Sequence, residues 1–488
     1  MLREIDSLLN KITMYKVMVY GLGLLLAVAA VLGAAGVISI APGALLVSVG
    51  LLIVSCYATN KALSKLLRVP TNTESWLISA LILACILPQA DSVGKAGYTI
   101  LAGLLAMASK FIIRYQGRHL LNPAALGAFV VSVTGLLAAT WWIATPWMTP
   151  FTALLAFVVL RKQRRFQMFF CFAAAAIGML VLTGAVLQGM DLAPVLRTAV
   201  LSWPIIFFGS IMLTEPATLP PTRYYQLLLA VIVGLLFASQ LHIGGLATTP
   251  QAVLLVGNVL TALAIPARGY VLRLKGVRRL TPTTYEVSFN RPPDLRFRSG
   301  QYAELTMAHA RADSRGNRRT FSIASPPTAT EVRFAFKVSG RGSSFKKALV
   351  ALKPGSPVRL DHIAGDFTLP SDTTRPLLFI AGGIGATPYR SMIGSLTSPR
   401  DIVLLYLVTD LQDVTYKADF DQAAQFGVRT EYVHGRLGPE ILQRLVPDLN
   451  KRLVYISGPE GLVRSGKTMI SRLGIARRAI RTDHFSGY

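Results

Sequence analysis

Leu378 to Arg390 reads LFIAGGIGATPYR, an apolar strand running straight into a glycine-rich turn that must open a helix. Bare backbone amides at such a turn suit a pyrophosphate, and Gly382, Gly383 and Gly385 let one approach the main chain. Thr387 and Pro388 follow in the first helical turn, where a missing proline N–H costs little. Upstream, Arg319-Thr320-Phe321-Ser322 places a guanidinium, which grips phosphate in bidentate fashion, three residues before a hydroxyl. Gly342-Ser343-Ser344 supplies small residues whose amides suit a second phosphate, and Ser457-Gly458-Pro459 closes a further apolar strand. Asp410 and Asp413 follow the strand ending at Val408, where a carboxylate favours a ribose 2′-hydroxyl over a 2′-phosphate. The run from Gly461 to Thr468 matches the GxxxxGK[ST] phosphate loop. Too little chain follows it for a nucleotide hydrolase, and it reads as the helix after the Gly-Pro turn.

These residues need elements to carry them, and composition sets the first half apart. Of 488 residues 52% are hydrophobic and 15% charged, with a net charge of +26. Many basic residues lie in short loops between apolar segments, at Lys61, Lys65 and Arg68, at Arg114 and Arg118, and at Arg161, Lys162, Arg164 and Arg165. That is the positive-inside pattern of a membrane protein, so the charge does not point to nucleic acid. Cys56, Cys85 and Cys171 form no CxxC pair and indicate neither a disulfide framework nor a metal site. Ten apolar segments, at 17–36, 42–59, 75–90, 95–113, 123–142, 149–160, 167–187, 197–213, 224–241 and 249–265, read as about ten membrane spans. The N-terminus and the region after Pro266 then lie in the cytoplasm, with membrane lipid around the spans. From residue 266 to about 372 short alternating strands predict an antiparallel β-barrel; from 373 to 488 apolar strands alternate with helices, predicting an α/β domain with a parallel sheet.

The order barrel, RTFS, GGIGATP, SGP and aromatic tail resembles the ferredoxin–NADP reductase family. The resemblance implies FAD and a nicotinamide nucleotide: Arg319 on the FAD pyrophosphate, Phe321 stacked on the flavin, the Ser322 hydroxyl facing N5. It further implies Gly382, Gly383, Gly385, Thr387 and Pro388 on the nucleotide pyrophosphate, and Ser457, where the family usually has Cys, with Gly458 and Pro459 by the nicotinamide. In the tail, Asp483 and Tyr488 would approach the flavin, Tyr488 capping the ring. Asp410 inclines the expectation to NADH, with NADPH open.

In the first 265 residues, Asn122-Pro123-Ala124 and Thr214-Glu215-Pro216-Ala217, the latter continuing through Pro220 to Arg223, resemble the NPA and TDPxxxPxT signatures of two related families: the flavin-carrying membrane components of the Rnf complex and of the sodium-pumping NADH:quinone oxidoreductase. Helix-breaking residues at membrane depth free backbone groups that must find partners in protein or ligand. The resemblance therefore implies a second flavin, FMN or riboflavin, near Asn122, Pro123, Thr214, Glu215 and Pro216. Those components esterify FMN to a threonine; here Ala144-Thr145-Pro146 keeps the core of that loop without its aspartate, so the expectation is a non-covalent flavin near Thr145. Trp141, Trp142 and Trp147 read as an interfacial belt. Paired histidines for haem are missing from the spans. The expected function is NAD(P)H oxidation with electrons passed from cytoplasmic FAD through a membrane flavin to a quinone or external acceptor; the rival is a reductase tethered to a channel or transporter.

Overall fold

The computed structural model describes residues 9, 12–67, 73–115, 118–239, 241–243, 246–264, 269–310, 313, 316–338 and 342–485; Tyr488 lies outside them. The chain divides into two compact units, Met1–Arg268 and Gly269–Tyr488.

The N-terminal unit is helical. Each of the ten apolar segments carries a helix, but about ten spans is not what results. Among the described residues three helices are long and apolar enough to cross a membrane, Met14–Ala34, Pro42–Leu66 and Phe166–Leu187, or four if Leu192–Leu201 and Ile205–Met212, bent by 51°, form one span. Length is the reason for most of the others, although Val93–Ile112, with 20 residues, is long enough and falls short in apolarity, carrying Lys95 and Lys110. At 1.5 Å per residue, the 14 residues of Thr73–Ile86 reach about 21 Å, short of a hydrocarbon core of about 30 Å. Pro123–Val133, with 11 residues, is shorter still. Start signals are local: Thr13 accepts the Lys16 N–H at 3.3 Å, and Asn122 accepts the Ala125 N–H at 2.9 Å with Pro123 behind it in the first turn.

The expected tryptophan belt is also corrected. Trp141 and Trp142 are buried, their indole N–H groups donating to Gln251 Oε1 and the Ala84 carbonyl, each at 3.0 Å. Trp147 alone of the three is exposed. Buried indoles with protein partners pack better inside than at an interface.

The C-terminal unit begins with six antiparallel strands: β1 (Tyr270–Thr281), β2 (Thr284–Asn290), β3 (Tyr302–Thr306), β4 (Arg318–Ser322), β5 (Glu331–Lys337) and β6 (Pro357–Ala364). They run in the order β4-β3-β6-β1-β2-β5, and a bridge between Ile323 and Phe334 brings the two edges together. Phe289, Leu305, Phe334 and Phe345 fill the barrel. A parallel sheet follows: β7 (Leu377–Gly382), β8 (Ile402–Val408), β9 (Val428–His434), β10 (Leu453–Pro459) and β11 (Ile480–Phe485), ordered β9-β8-β7-β10-β11. β7 and β8 are buried along their whole length, as strands covered on both faces by helices must be. The order reverses between β7 and β10, so the crevice beyond their carboxyl ends is a topological switch point, where open α/β sheets take ligands.

Candidate functional site

The glycine turn leaves β7 at that crevice. Gly383 has φ +52°, and a Cβ on Gly385 would lie 2.4 Å from the Ser457 carbonyl oxygen and 2.6 Å from Gly458 Cα. Only glycine allows this turn to lie flat against the end of β10. Gly458, at φ +150°, packs in turn on the Gly382 backbone. The Tyr406 hydroxyl donates to the Gly383 carbonyl at 3.0 Å, and Thr387 Oγ1 to that of Ile384 at 3.0 Å, so the turn is braced before the helix Thr387–Ile393 begins. Ser457 is fully buried and its hydroxyl has no hydrogen-bond partner among the described residues. A buried orphan hydroxyl costs about 1–3 kcal/mol, which a ligand group can recover.

Arg319 is buried on β4 beside Ser343, to which Nε and Nη2 donate at 3.1 and 2.9 Å. Its Nη2 also lies 3.3 Å from Asp313 Oδ1, while Asp313 Oδ2 accepts the Ser344 N–H at 2.9 Å. The arginine and the Gly342-Ser343-Ser344 segment, read separately from the sequence, therefore form one cluster, with Asp313 standing where an anion would. Asp313 and His309, whose Nε2 lies 2.9 Å from Ser344 Oγ, carried no motif that sequence reasoning could have used. Thr320 is exposed on the barrel. Phe321 is 6% exposed, with ring centroids 5.2 Å from Phe336 and 6.3 Å from Phe345, so it is seated in the barrel core.

Ser322 connects the two halves. Its hydroxyl donates to Asp483 Oδ2 at 3.4 Å, and Asp483 is the register partner of Ser457 on the adjacent strand. Burial pushes the Asp483 carboxyl up to about 6, against the hydrogen bond from Ser322, with Asp366 adding repulsion. Ser322, Asp483 and Ser457 thus share the mouth of the crevice. Asp410 is exposed after β8 and accepts the Gln412 N–H at 2.9 Å, capping the turn Leu411–Asp413; Asp413 lies 3.7 Å from Lys337 Nζ.

In the N-terminal unit the two helix-breaking motifs meet. Asn122 Nδ2 donates to Glu215 Oε2 at 2.7 Å, and His119 Nε2 lies 3.7 Å from Glu215 Oε1. Asn258, which no motif announced beyond being an amide in an apolar run, accepts the Asn122 N–H at 2.8 Å. The Thr214 carbonyl accepts from Arg165, and Thr214 itself is fully buried just before Glu215-Pro216. The backbone groups at these breaks are thus met by Asn258 and Arg165, and the two motifs by one side-chain bond between them, while Thr145 Oγ1 is buried with no hydrogen-bond partner among the described residues. Among the described residues no cluster of three or more His, Cys, Asp or Glu side chains is placed to hold a metal ion.

No family model matches the chain. Among curated proteins it is 28% identical over 222 residues to an NADPH oxidoreductase of Mycobacterium tuberculosis, covering 42% of this chain and 57% of that one. It is 28% identical over 249 residues to ferredoxin–NADP reductase B of Sorangium cellulosum, covering 45% of this chain and 99% of that one. A solved ferredoxin NADP+ reductase from Neisseria gonorrhoeae matches with a TM-score of 0.39 and 17% identity over 45% of this chain and 99% of that one. The chain spans little more than half the length of the first of these relatives. The C-terminal unit is ferredoxin–NADP reductase-like, a barrel followed by a nucleotide-type parallel sheet. The relatives of this unit are named as an NADPH oxidoreductase, a ferredoxin–NADP reductase and the reductase component of a dioxygenase.

Proposed function

We propose that this chain oxidises a nicotinamide nucleotide with FAD held by residues 266–372 and the nucleotide by residues 373–488. Electrons then pass through residues 1–265, seated as a multi-pass membrane domain, by way of a second flavin to a quinone or external acceptor. The observation that carries the first half is the Ser322–Asp483 hydrogen bond, which joins the strand bearing the phosphate-type arginine to β11, beside Ser457 at the open end of β10. Bound there, FAD supplies acceptance of a hydride and release of its electrons one at a time. Arg319 would hold the FAD pyrophosphate, with the amides of Ser343 and Ser344 as further donors beside it. Gly382, Gly383 and Gly385 with Thr387 and Pro388 hold the nucleotide pyrophosphate. The orphan Ser457 hydroxyl, with Gly458 and Pro459, orients the nicotinamide. Asp483, its carboxyl raised to about 6 and so largely ionised at neutral pH, accepts the Ser322 hydroxyl and orients it. The relatives named for NADPH and NADP support NADPH, while the exposed Asp410 supports NADH.

Three helices of spanning length support a membrane location, and the basic loops support a cytoplasmic reductase. A hydrocarbon core of about 30 Å is too wide for a single electron hop, so a carrier inside is required if electrons cross. The unpartnered hydroxyl of Thr145 favours a flavin contact there. The mutual pairing of Asn122 and Glu215 is the observation that favours the rival, a tethered reductase needing no second flavin. Extracting and counting flavins from the purified chain decides between them. FMN or riboflavin beside FAD, with no flavin fluorescence on a denaturing gel, is the expected result; FAD alone at one per chain defeats the relay. A fluorescent gel band lost in Thr145→Ala would keep the relay but replace non-covalent binding with an ester link.

A further inference from the structure

Between the barrel and the parallel sheet lies a polar cluster that none of the motifs accounts for. Glu286, on β2, is 4% exposed. Its Oε2 accepts the Tyr416 hydroxyl at 2.8 Å and lies 3.8 Å from Arg390 Nη1; its Oε1 lies 3.2 Å from Arg278 Nη2 and 3.8 Å from Arg333 Nη1. Arg390 stacks over the Tyr416 ring at 4.4 Å from its centroid. Tyr416 takes this position at φ +60°, a left-handed backbone that a bulky side chain rarely adopts.

Where Arg390 points is what gives the cluster meaning. It sits two residues after Pro388, in the first turns of the helix opened by the glycine turn. Its Nη1 donates to the Ala324 carbonyl at 3.1 Å, two residues after Ser322, and the next residue, Ser391, donates to the Ser325 carbonyl at 2.7 Å. The nucleotide-type turn and the RTFS strand are thus bolted together by consecutive bonds, each two or three residues from the groups that would touch cofactor. A guanidinium that must reach a backbone carbonyl holds one orientation only if the rest of it is fixed: the Tyr416 ring supports its face, Glu286 lies beside Nη1, and Nη2 donates to Asp419 Oδ1 at 3.3 Å.

We infer that Arg390, oriented by Glu286 and Tyr416, is a positioning residue that sets the separation between the nicotinamide and flavin sites. This rests on the reading of the C-terminal unit as binding both cofactors. Hydride transfer is steep in distance, a misplacement of about 1 Å costing on the order of 100-fold. Loosening the bolt therefore slows transfer while leaving both binding sites whole.

The test is anaerobic stopped-flow reduction of the full-length chain in detergent, following flavin bleaching and the long-wavelength charge-transfer band against NAD(P)H concentration. Arg390→Met is expected to lower the limiting reduction rate about 10–100-fold and weaken the charge-transfer band. The nucleotide dissociation constant and FAD content should stay near wild type, and Arg390→Lys should recover part of the rate. Tyr416→Phe, which deletes one hydroxyl, is expected to lower the rate about 3–10-fold in the same pattern even if Arg390→Met fails to fold. An unchanged limiting rate in Tyr416→Phe, or rate and FAD content falling together in both variants, overturns the inference. A wild-type chain that holds no FAD, or is not bleached by either nucleotide, overturns the underlying reading and the inference with it.

Discussion

Arg319 shows how a single side chain can be tested apart from its surroundings. Its contacts to Ser343 and Asp313 hold the guanidinium in place, and if it grips the FAD pyrophosphate as proposed, Arg319→Ala removes charge-assisted bonds of about 1.5–3 kcal/mol, so FAD affinity should fall about 10–150-fold in fluorescence titration. Unchanged affinity would take Arg319 out of the site. Asp483 makes a prediction in pH. Its carboxyl is raised from 3.8 to about 6, so between those values the folded chain binds more protons than the unfolded one and stability falls as pH rises through the window, levelling above it. Asp483→Asn should abolish that slope in denaturant melts at about pH 4.5 and about pH 7, and a slope that survives assigns the titration elsewhere. Asp410→Ser keeps a side-chain oxygen able to cap the Gln412 N–H but loses the charge, so a shift of nucleotide preference toward NADPH in kcat/KM isolates repulsion of a 2′-phosphate. No shift would mean the ribose lies away from this carboxylate.

Among the elements, the glycine turn is the least tolerant. A methyl at Gly385 meets the backbone of β10, which cannot step aside, so Gly385→Ala should cost about 1–3 kcal/mol and abolish nucleotide-dependent flavin reduction while FAD stays bound. Retained reduction by NAD(P)H would show that the turn does not hold the nucleotide. This turn was legible in the sequence because its chemistry is local: glycines, a proline and an apolar strand announce themselves within thirteen residues. The ten helical segments were legible for the same reason, each being an apolar run. Their lengths were not, since a run such as 123–142 continues as apolar chain after the helix has ended at Val133. Trp141 was misread because hydropathy does not show that Gln251, 110 residues away, accepts its N–H. The pairing of Asp483 with Ser457 depends on parallel register, which the tertiary fold sets. Glu286 and Tyr416 looked like ordinary strand and loop residues.

At the scale of the whole molecule, the division after Arg268 predicts an independent reductase. Residues 269–488 expressed alone should purify with FAD and reduce ferricyanide with NADH or NADPH; a soluble fragment without flavin would mean the barrel needs the helical unit. The Ser322–Asp483 bond spans 161 residues, and closing a loop of that length costs about 4–5 kcal/mol in chain entropy, so contacts of this kind are made late in folding. A nascent chain therefore completes its barrel well before the last strand docks. During that interval Ser322 has not yet met Asp483, so on the proposed function a half-made molecule seats its flavin before the outer edge of the nucleotide sheet is in place.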